Sequence, residues 1–171
     1  GSYSTSISIK ISGNRLTVEG NPSRYSRLDN VQGYSCLTAC IDVYNEILTT
    51  LGLPNFTRCT KTFQRQGVDG SRCETFSDGA IIQNIHTTSN HSTGGKAQDY
   101  LKALSTQRYK NSIPRLHTNQ MGVDWLSKGG RATMQYAKAY DKANEMRLHS
   151  LPKIRSQFGV DSDEYEYLKK L

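Results

Sequence analysis

Met134-Gln-Tyr-Ala-Lys-Ala-Tyr-Asp-Lys-Ala-Asn-Glu-Met-Arg-Leu-His149 reads as a short strand that runs into a helix. Tyr136 and Tyr140 sit four residues apart and are interleaved with Lys138 and Lys142. Glu145 and His149 follow at a spacing that puts them on one helical face. Just upstream, Gly122 to Leu126 and Ala132 to Ala139 read as two strands around the tight turn Ser127-Lys-Gly-Gly130. Downstream, Pro152 is expected to break the helix that begins near Tyr140, and a last helix covers Asp163 to Leu171.

Toward the N-terminus, Ser6 to Ile11 alternates polar and apolar residues, a strand signal. Gly13-Asn14 supplies a hairpin turn, and Leu16 to Glu19 the returning strand. Ser35 to Leu51 is a helix with Leu37, Cys40, Ile41, Tyr44, Ile47, Leu48 and Leu51 in its apolar stripe, Ser35 as its cap, and Gly52 and Pro54 after it. Residues 55–72 read as irregular. Cys73 to Phe76 and Ala80 to Thr88 read as a hairpin across Ser77-Asp-Gly79. Lys96 to Tyr109 is a second amphipathic helix, and residues 110–120 a loop. This order predicts an α+β fold, an antiparallel sheet with helices packed on one face, of a ferredoxin-like kind. No linker divides it, so residues 3–171 read as one domain. Gly1-Ser2 reads as a cloning scar, and the missing initiator Met as the mark of a piece of a longer protein.

The formal charge is +7 and the isoelectric point near 9.3, a balance that favours a polyanion such as nucleic acid. Mean hydropathy is −0.65, no apolar run is long enough to span a bilayer, and the chain is read as carrying no signal peptide. Cys36, Cys40, Cys59 and Cys73 form no Cys-x-x-Cys pair, which argues against structural zinc. The i, i+4 pair Cys36 and Cys40 reads as buried thiols in a reducing, cytosolic compartment. No phosphate-binding glycine loop, dinucleotide fingerprint or Ser-His-Asp arrangement is present.

A phenol ionises near pH 10 in water and is a poor nucleophile. Cations and a metal that stabilise its anion make it useful against a phosphodiester. Tyr140, beside Lys142 and just before the helix, fits that role, with Lys138 and Lys142 as the cations. Tyr136, inside the strand, reads as packing. Glu145 and His149 can hold one ion from one helix face, with Asp141 and Asn144 as nearby oxygen donors; an ordinary surface pair is the plain alternative. In the strand Ile85-His-Thr-Thr88, Ile85 is expected to face the helices, which puts His86 and Thr88 on the open face as further ligands; a surface or hydrogen-bonded His is the plain alternative for His86. Mg²⁺ or Mn²⁺ suits such a mixed set. Arg15, Arg24, Arg27, Lys128 and Arg131, with Tyr25 as a stacking face, read as DNA contacts, against the plain alternative of a solvated surface.

These residues resemble the replication initiation proteins of filamentous bacteriophages, the gene II protein group. Three anchors carry the resemblance. Ser8-Ile-Lys-Ile-Ser-Gly-Asn14, Asn21-Pro-Ser23 and Leu28-Asp-Asn-Val-Gln-Gly33 look like the family's opening segments, with Asp29 where the family has His. Asn84-Ile-His-Thr-Thr88 resembles an Arg-Ile-Asp-x-Thr strand, with His86 where the family has an acid. Ala139-Tyr-Asp-Lys-Ala-Asn-Glu145 matches a Tyr-x-Lys-x-x-Glu segment whose tyrosine nicks DNA. The His-hydrophobe-His motif of related rolling-circle nucleases is absent. The resemblance implies rolling-circle initiation in the host bacterial cytoplasm. Tyr140 would nick one strand of a phage origin, keep a covalent 5′-phosphotyrosine link and later rejoin the strand, with a divalent metal near Glu145 and a host helicase and polymerase as partners. Two other readings stay open on the residues alone: a basic nucleic-acid-binding module that does not cut, and a metal nuclease that uses water.

Overall fold

The computed structural model describes residues 6–29, 31–66, 73–130 and 136–171. They gather into two compact units, one ending at Thr88 and one running from Ser89 to Leu171. The architecture is α+β with antiparallel ladders. Among the described residues the strands form three separate ladders, two of two strands and one of three, in place of the single ferredoxin-like sheet expected.

In the first unit, β1 (Ser8–Ser12) and β2 (Arg15–Glu19) pair as the alternation requires, with Ile9 opposite Val18 and Ile11 opposite Leu16. Gly13 makes the turn at φ 56°, a conformation glycine adopts without strain. Helix α1 (Leu37–Thr50) begins two residues later than expected. Cys36 takes the cap position without a side-chain bond, so Ser35 caps nothing. Cys36 is exposed and Cys40 half-buried, which corrects the expectation of two buried thiols; all four thiols are free. Leu48 is fully buried, and the Tyr44 hydroxyl donates to the Gly20 carbonyl at 2.9 Å, tying α1 to the end of β2.

The second ladder departs most from the sequence reading. β3 (Thr62–Gln66) lies in the stretch expected to be irregular, and it takes β4 (Cys73–Ser77) as its partner, with Phe63 opposite Phe76. Asp78 closes this hairpin by accepting the Thr60 and Lys61 amides at 2.7 and 2.8 Å. The Thr60 hydroxyl and these amides hold its carboxyl down to about 2. Gly79 then packs so tightly on Arg58 and Cys59 that a Cβ would meet backbone at 2.5 Å. With β4 already paired, residues 81–88 lie outside any ladder, and Ile85 is 56% exposed.

The second unit begins with α2 (Ala97–Leu104). It stops five residues short of Tyr109 because the Ser105 and Thr106 hydroxyls turn back onto the Lys102 and Ala103 carbonyls at 2.7 and 2.8 Å. β5 (Ile113–Leu116), β6 (Gly122–Leu126) and β7 (Ala137–Tyr140) form an antiparallel sheet in that order. β5 falls where a loop was expected. Its Pro114 is tolerated because the strand is at an edge. Leu101 of α2, Val123 and Trp125 make the core, with Ala137 and Ala139 against it. The Trp125 indole donates to the Gln107 carbonyl at 2.7 Å, so the chain leaving α2 is drawn to the sheet.

After β7 come α3 (Lys142–Glu145), a π-turn at Met146–Ser150 and α4 (Leu151–Phe158). Pro152 breaks nothing. It sits in the first turn of α4, where a missing N–H is harmless. α5 (Asp163–Lys170) matches expectation, capped by Ser162 and carrying acids in its first turn and lysines in its last. No helix among the described residues is long and apolar enough to cross a membrane.

Leu101 is 4% exposed and is the contact through which α2 holds the sheet. Leu101→Ala is expected to destabilise the second unit by about 2–5 kcal/mol, and Leu101→Met by less than about 1.5 kcal/mol. Urea unfolding followed by the fluorescence of the single tryptophan, Trp125, measures both. Equal midpoints for the two variants would show that this contact is not the core.

Candidate active site on the open face of the three-stranded sheet

Register decides which side chains share the open face. Arg115, Asp124 and Lys138 lie directly opposite one another across β5, β6 and β7 and form one row. The adjacent rows, Leu116–Val123–Ala139 and Pro114–Trp125–Ala137, contain the core residues. Alternation therefore sends Arg115, Asp124, Lys138 and Tyr140 to the side away from α2. Tyr140 is paired with Gly122, so no side chain stands beside it on β6.

Tyr140 is 40% exposed. The Lys138 ammonium lies 5.6 Å from its ring centroid and the Lys142 ammonium 5.9 Å, both within cation–π range. One cation comes from the strand and the other from the first turn of α3. The turn between them is fixed twice. The Asp141 amide donates to the Met121 carbonyl at 3.0 Å, and the Asp141 carboxylate accepts the Asn144 amide at 3.0 Å as the cap of α3. Asp141, read as a spare oxygen donor, thus has one carboxylate oxygen engaged in capping, through the backbone amide of Asn144.

Glu145 is engaged as well. Lys142 donates to its carboxylate at 2.6 Å. His149 lies in the π-turn and is exposed. His149 follows Glu145 by one turn, but the Glu145 carboxylate is already paired with Lys142. Among the described residues no three His, Cys, Asp or Glu side chains lie close enough together to hold an ion. His86 and Thr88 belong to the first unit, on an exposed segment outside any strand, without the sheet face that the alternation argument assumed.

The basic residues divide similarly. Arg15 is exposed at the start of β2. Arg24 ends a short 3₁₀ turn, Pro22–Arg24, and is half-buried. Arg27 is half-buried and donates to the Ser23 carbonyl. Tyr25 is half-buried and lines a shallow cleft with Glu46, Ile47, Thr50 and Leu51 of the α1 region, so its ring is partly used in packing. Lys128 is exposed in the turn after β6. Arg131 lies outside the described residues.

The sequence reading missed the centre of this face. The Asp124 carboxylate accepts the Tyr136 hydroxyl on one oxygen at 2.7 Å and meets His117 Nε2 on the other at 2.9 Å. Tyr136 is 45% exposed, which corrects its assignment to packing. His117 leans over Gly122, where an added Cβ would meet its ring at 2.8 Å. Partial burial works to raise the Asp124 carboxyl, but the hydrogen bonds from Tyr136 and His117 and the nearby charge of His117 and Lys138 outweigh it and hold the group below its ordinary range. Partial burial, the same hydrogen bond and the Asp124 charge push the Tyr136 phenol up to about 12.

These shifts have opposite signs in pH. Tyr136 ionises near 10.0 when free of the fold, so its bond stabilises fully below pH 10 and is lost as pH rises toward about 12. Asp124 contributes above its ordinary value of 3.8, and that contribution is lost as pH falls through its folded value. The difference in melting temperature between the wild type and Tyr136→Phe is expected to be constant near neutrality and to shrink above pH 10. A difference that stays constant through the alkaline range would contradict the bond.

No protein-family model and no solved structure matches the chain. Over 163 residues, 95% of the chain, it is 48% identical to the replication-associated protein of Escherichia phage If1, and it spans about half, 51%, of that protein's length.

Proposed function

We propose that this chain is the strand-cleaving part of a filamentous-phage replication initiator, related to the rolling-circle nickases, and that Tyr140 is its nucleophile. The observation that carries the reading is the pair of ammonium groups within 5.6 and 5.9 Å of an exposed tyrosine ring. The likeness to a phage replication-associated protein supports it.

In the step proposed, the Tyr140 phenolic oxygen attacks phosphorus and loses its proton. The new O–P bond forms as the P–O3′ bond breaks, and the 3′ oxygen takes up a proton to become a hydroxyl. The product is a 5′-phosphotyrosine link plus a primer end, and the retained ester energy allows a later 3′-OH to rejoin the strand. Lys138 and Lys142 offset charge that builds on the phosphoryl oxygens. Glu145 holds the Lys142 ammonium in place at 2.6 Å. Dependence on Mg²⁺ or Mn²⁺ belongs to the proposal. Among the described residues no three His, Cys, Asp or Glu side chains form a donor set, and no step is derived through the ion. DNA is the partner, held by exposed bases such as Arg15 and Lys128, and the reaction takes place inside the bacterial host alongside its helicase and polymerase.

The rival reading is a module that binds nucleic acid without cutting. An exposed cross-strand aromatic pair, Phe63 and Phe76, favours it, because bases stack on such rings.

A labelled single-stranded oligonucleotide carrying the phage origin, incubated with Mn²⁺ and run on a denaturing gel, separates the readings. A covalent band is expected from the wild type, none from Tyr140→Phe, and on the order of 100-fold slower formation from Lys142→Ala. Tight, salt-sensitive binding with no band would support the binding module. Cleaved DNA with no band would point to hydrolysis by water.

A further inference from the structure

Two tyrosines stand on or beside one short strand, four residues apart, in opposite electrostatic settings. Tyr140 has two ammonium groups at its ring. Tyr136 has a carboxylate at its oxygen, at 2.7 Å. We propose that Asp124 is a positioning residue that holds Tyr136 as a neutral hydrogen-bond donor, and so reserves nucleophilic attack for Tyr140. This rests on the strand-cleavage reading and adds a selection between two otherwise equivalent phenols.

The geometry supports the assignment from each side of Asp124. Its two oxygens are each occupied, one by Tyr136 and one by His117. The flanking strands place Arg115 and Lys138 directly across from it. A carboxylate so surrounded by donors and cations is a weak base and leaves the phenol its proton. A phenolate at Tyr136 would stand beside an ionised carboxylate, a like-charge contact at hydrogen-bond distance. The shift of the Tyr136 phenol to about 12 agrees with this arrangement. His117 in turn keeps the carboxylate from swinging away, and it has room to do so because residue 122 is glycine.

The test uses the full chain as wild type, Asp124→Asn, Asp124→Glu, Tyr140→Phe and the double variant Asp124→Asn with Tyr140→Phe. Titration of the tyrosine ring signals by NMR, with no DNA present, comes first. The Tyr136 resonance is expected to titrate near 12 in the wild type and to move down toward 10.0 in Asp124→Asn. Asp124→Glu, which keeps the charge, is expected to restore most of the shift. An unshifted Tyr136 in the wild type overturns the proposal without reference to cleavage.

Covalent adducts with the origin oligonucleotide are then mapped by peptide mass spectrometry. The wild type and Asp124→Glu are expected to carry DNA on Tyr140 alone, Tyr140→Phe to carry none, and the double variant to carry it on Tyr136. Adduct on Tyr136 in Tyr140→Phe, where Asp124 is intact, would overturn the proposal even if the Asp124→Asn variants fail to fold. A folded double variant with no adduct would overturn it too. The absence of adduct from every protein would overturn the cleavage reading and the reservation of Tyr140 with it, while the titration separately reports the Asp124 bond.

Discussion

One face of the β5–β6–β7 sheet is committed to α2, and the open face follows from that. Leu101, Val123 and Trp125 fill the space between helix and sheet, with Ala137 and Ala139 beneath. Strand side chains alternate, so burying Val123 and Trp125 sends Asp124 outward, and burying Ala137 and Ala139 sends Lys138 and Tyr140 outward. A slip of one residue would bring the charged row inside at prohibitive cost. The small side chains of Ala137 and Ala139 let Trp125 occupy the core without lifting β7, the strand that bears Tyr140.

On that face the charges are sorted. The central row reads Arg115, Asp124, Lys138, cation, anion, cation. Lys142 enters from α3 and is balanced by Glu145. A negatively charged backbone approaching Tyr140 meets ammonium groups, whereas the oxygen of Tyr136 is already committed to a carboxylate. Chemically identical side chains, four residues apart, are given different electrostatic surroundings by their neighbours.

Much of this was legible in the sequence where pattern and turn chemistry agree. The Gly122–Leu126 strand stands as read, and the first hairpin and the last helix stand within a residue or two of the bounds read for them. Tyr140 with Lys138 and Lys142 was legible too, because near neighbours in sequence are near in space at a strand-to-helix junction. His117 and Asp124 were not. Residues 110–120 read as a loop, and the partner that makes Ile113–Leu116 an edge strand lies beyond it in sequence. The segment from Ala80 to Thr88 misled in the opposite way. Its residues favour a strand, but the preceding strand had already been taken by Thr62–Gln66, a competition that local pattern cannot show. The π-turn at Met146–Ser150 is likewise invisible to a helical wheel.

The central claim is that the face opposite α2 is the working surface. Backbone amide shifts of the isotope-labelled chain, followed as a single-stranded origin oligonucleotide is added without metal, test it most directly. The expected changes centre on Arg115, His117, Asp124 and Lys138 through Glu145, with α2 unmoved. Changes confined to α2 or to residues before Ser89 would contradict the account.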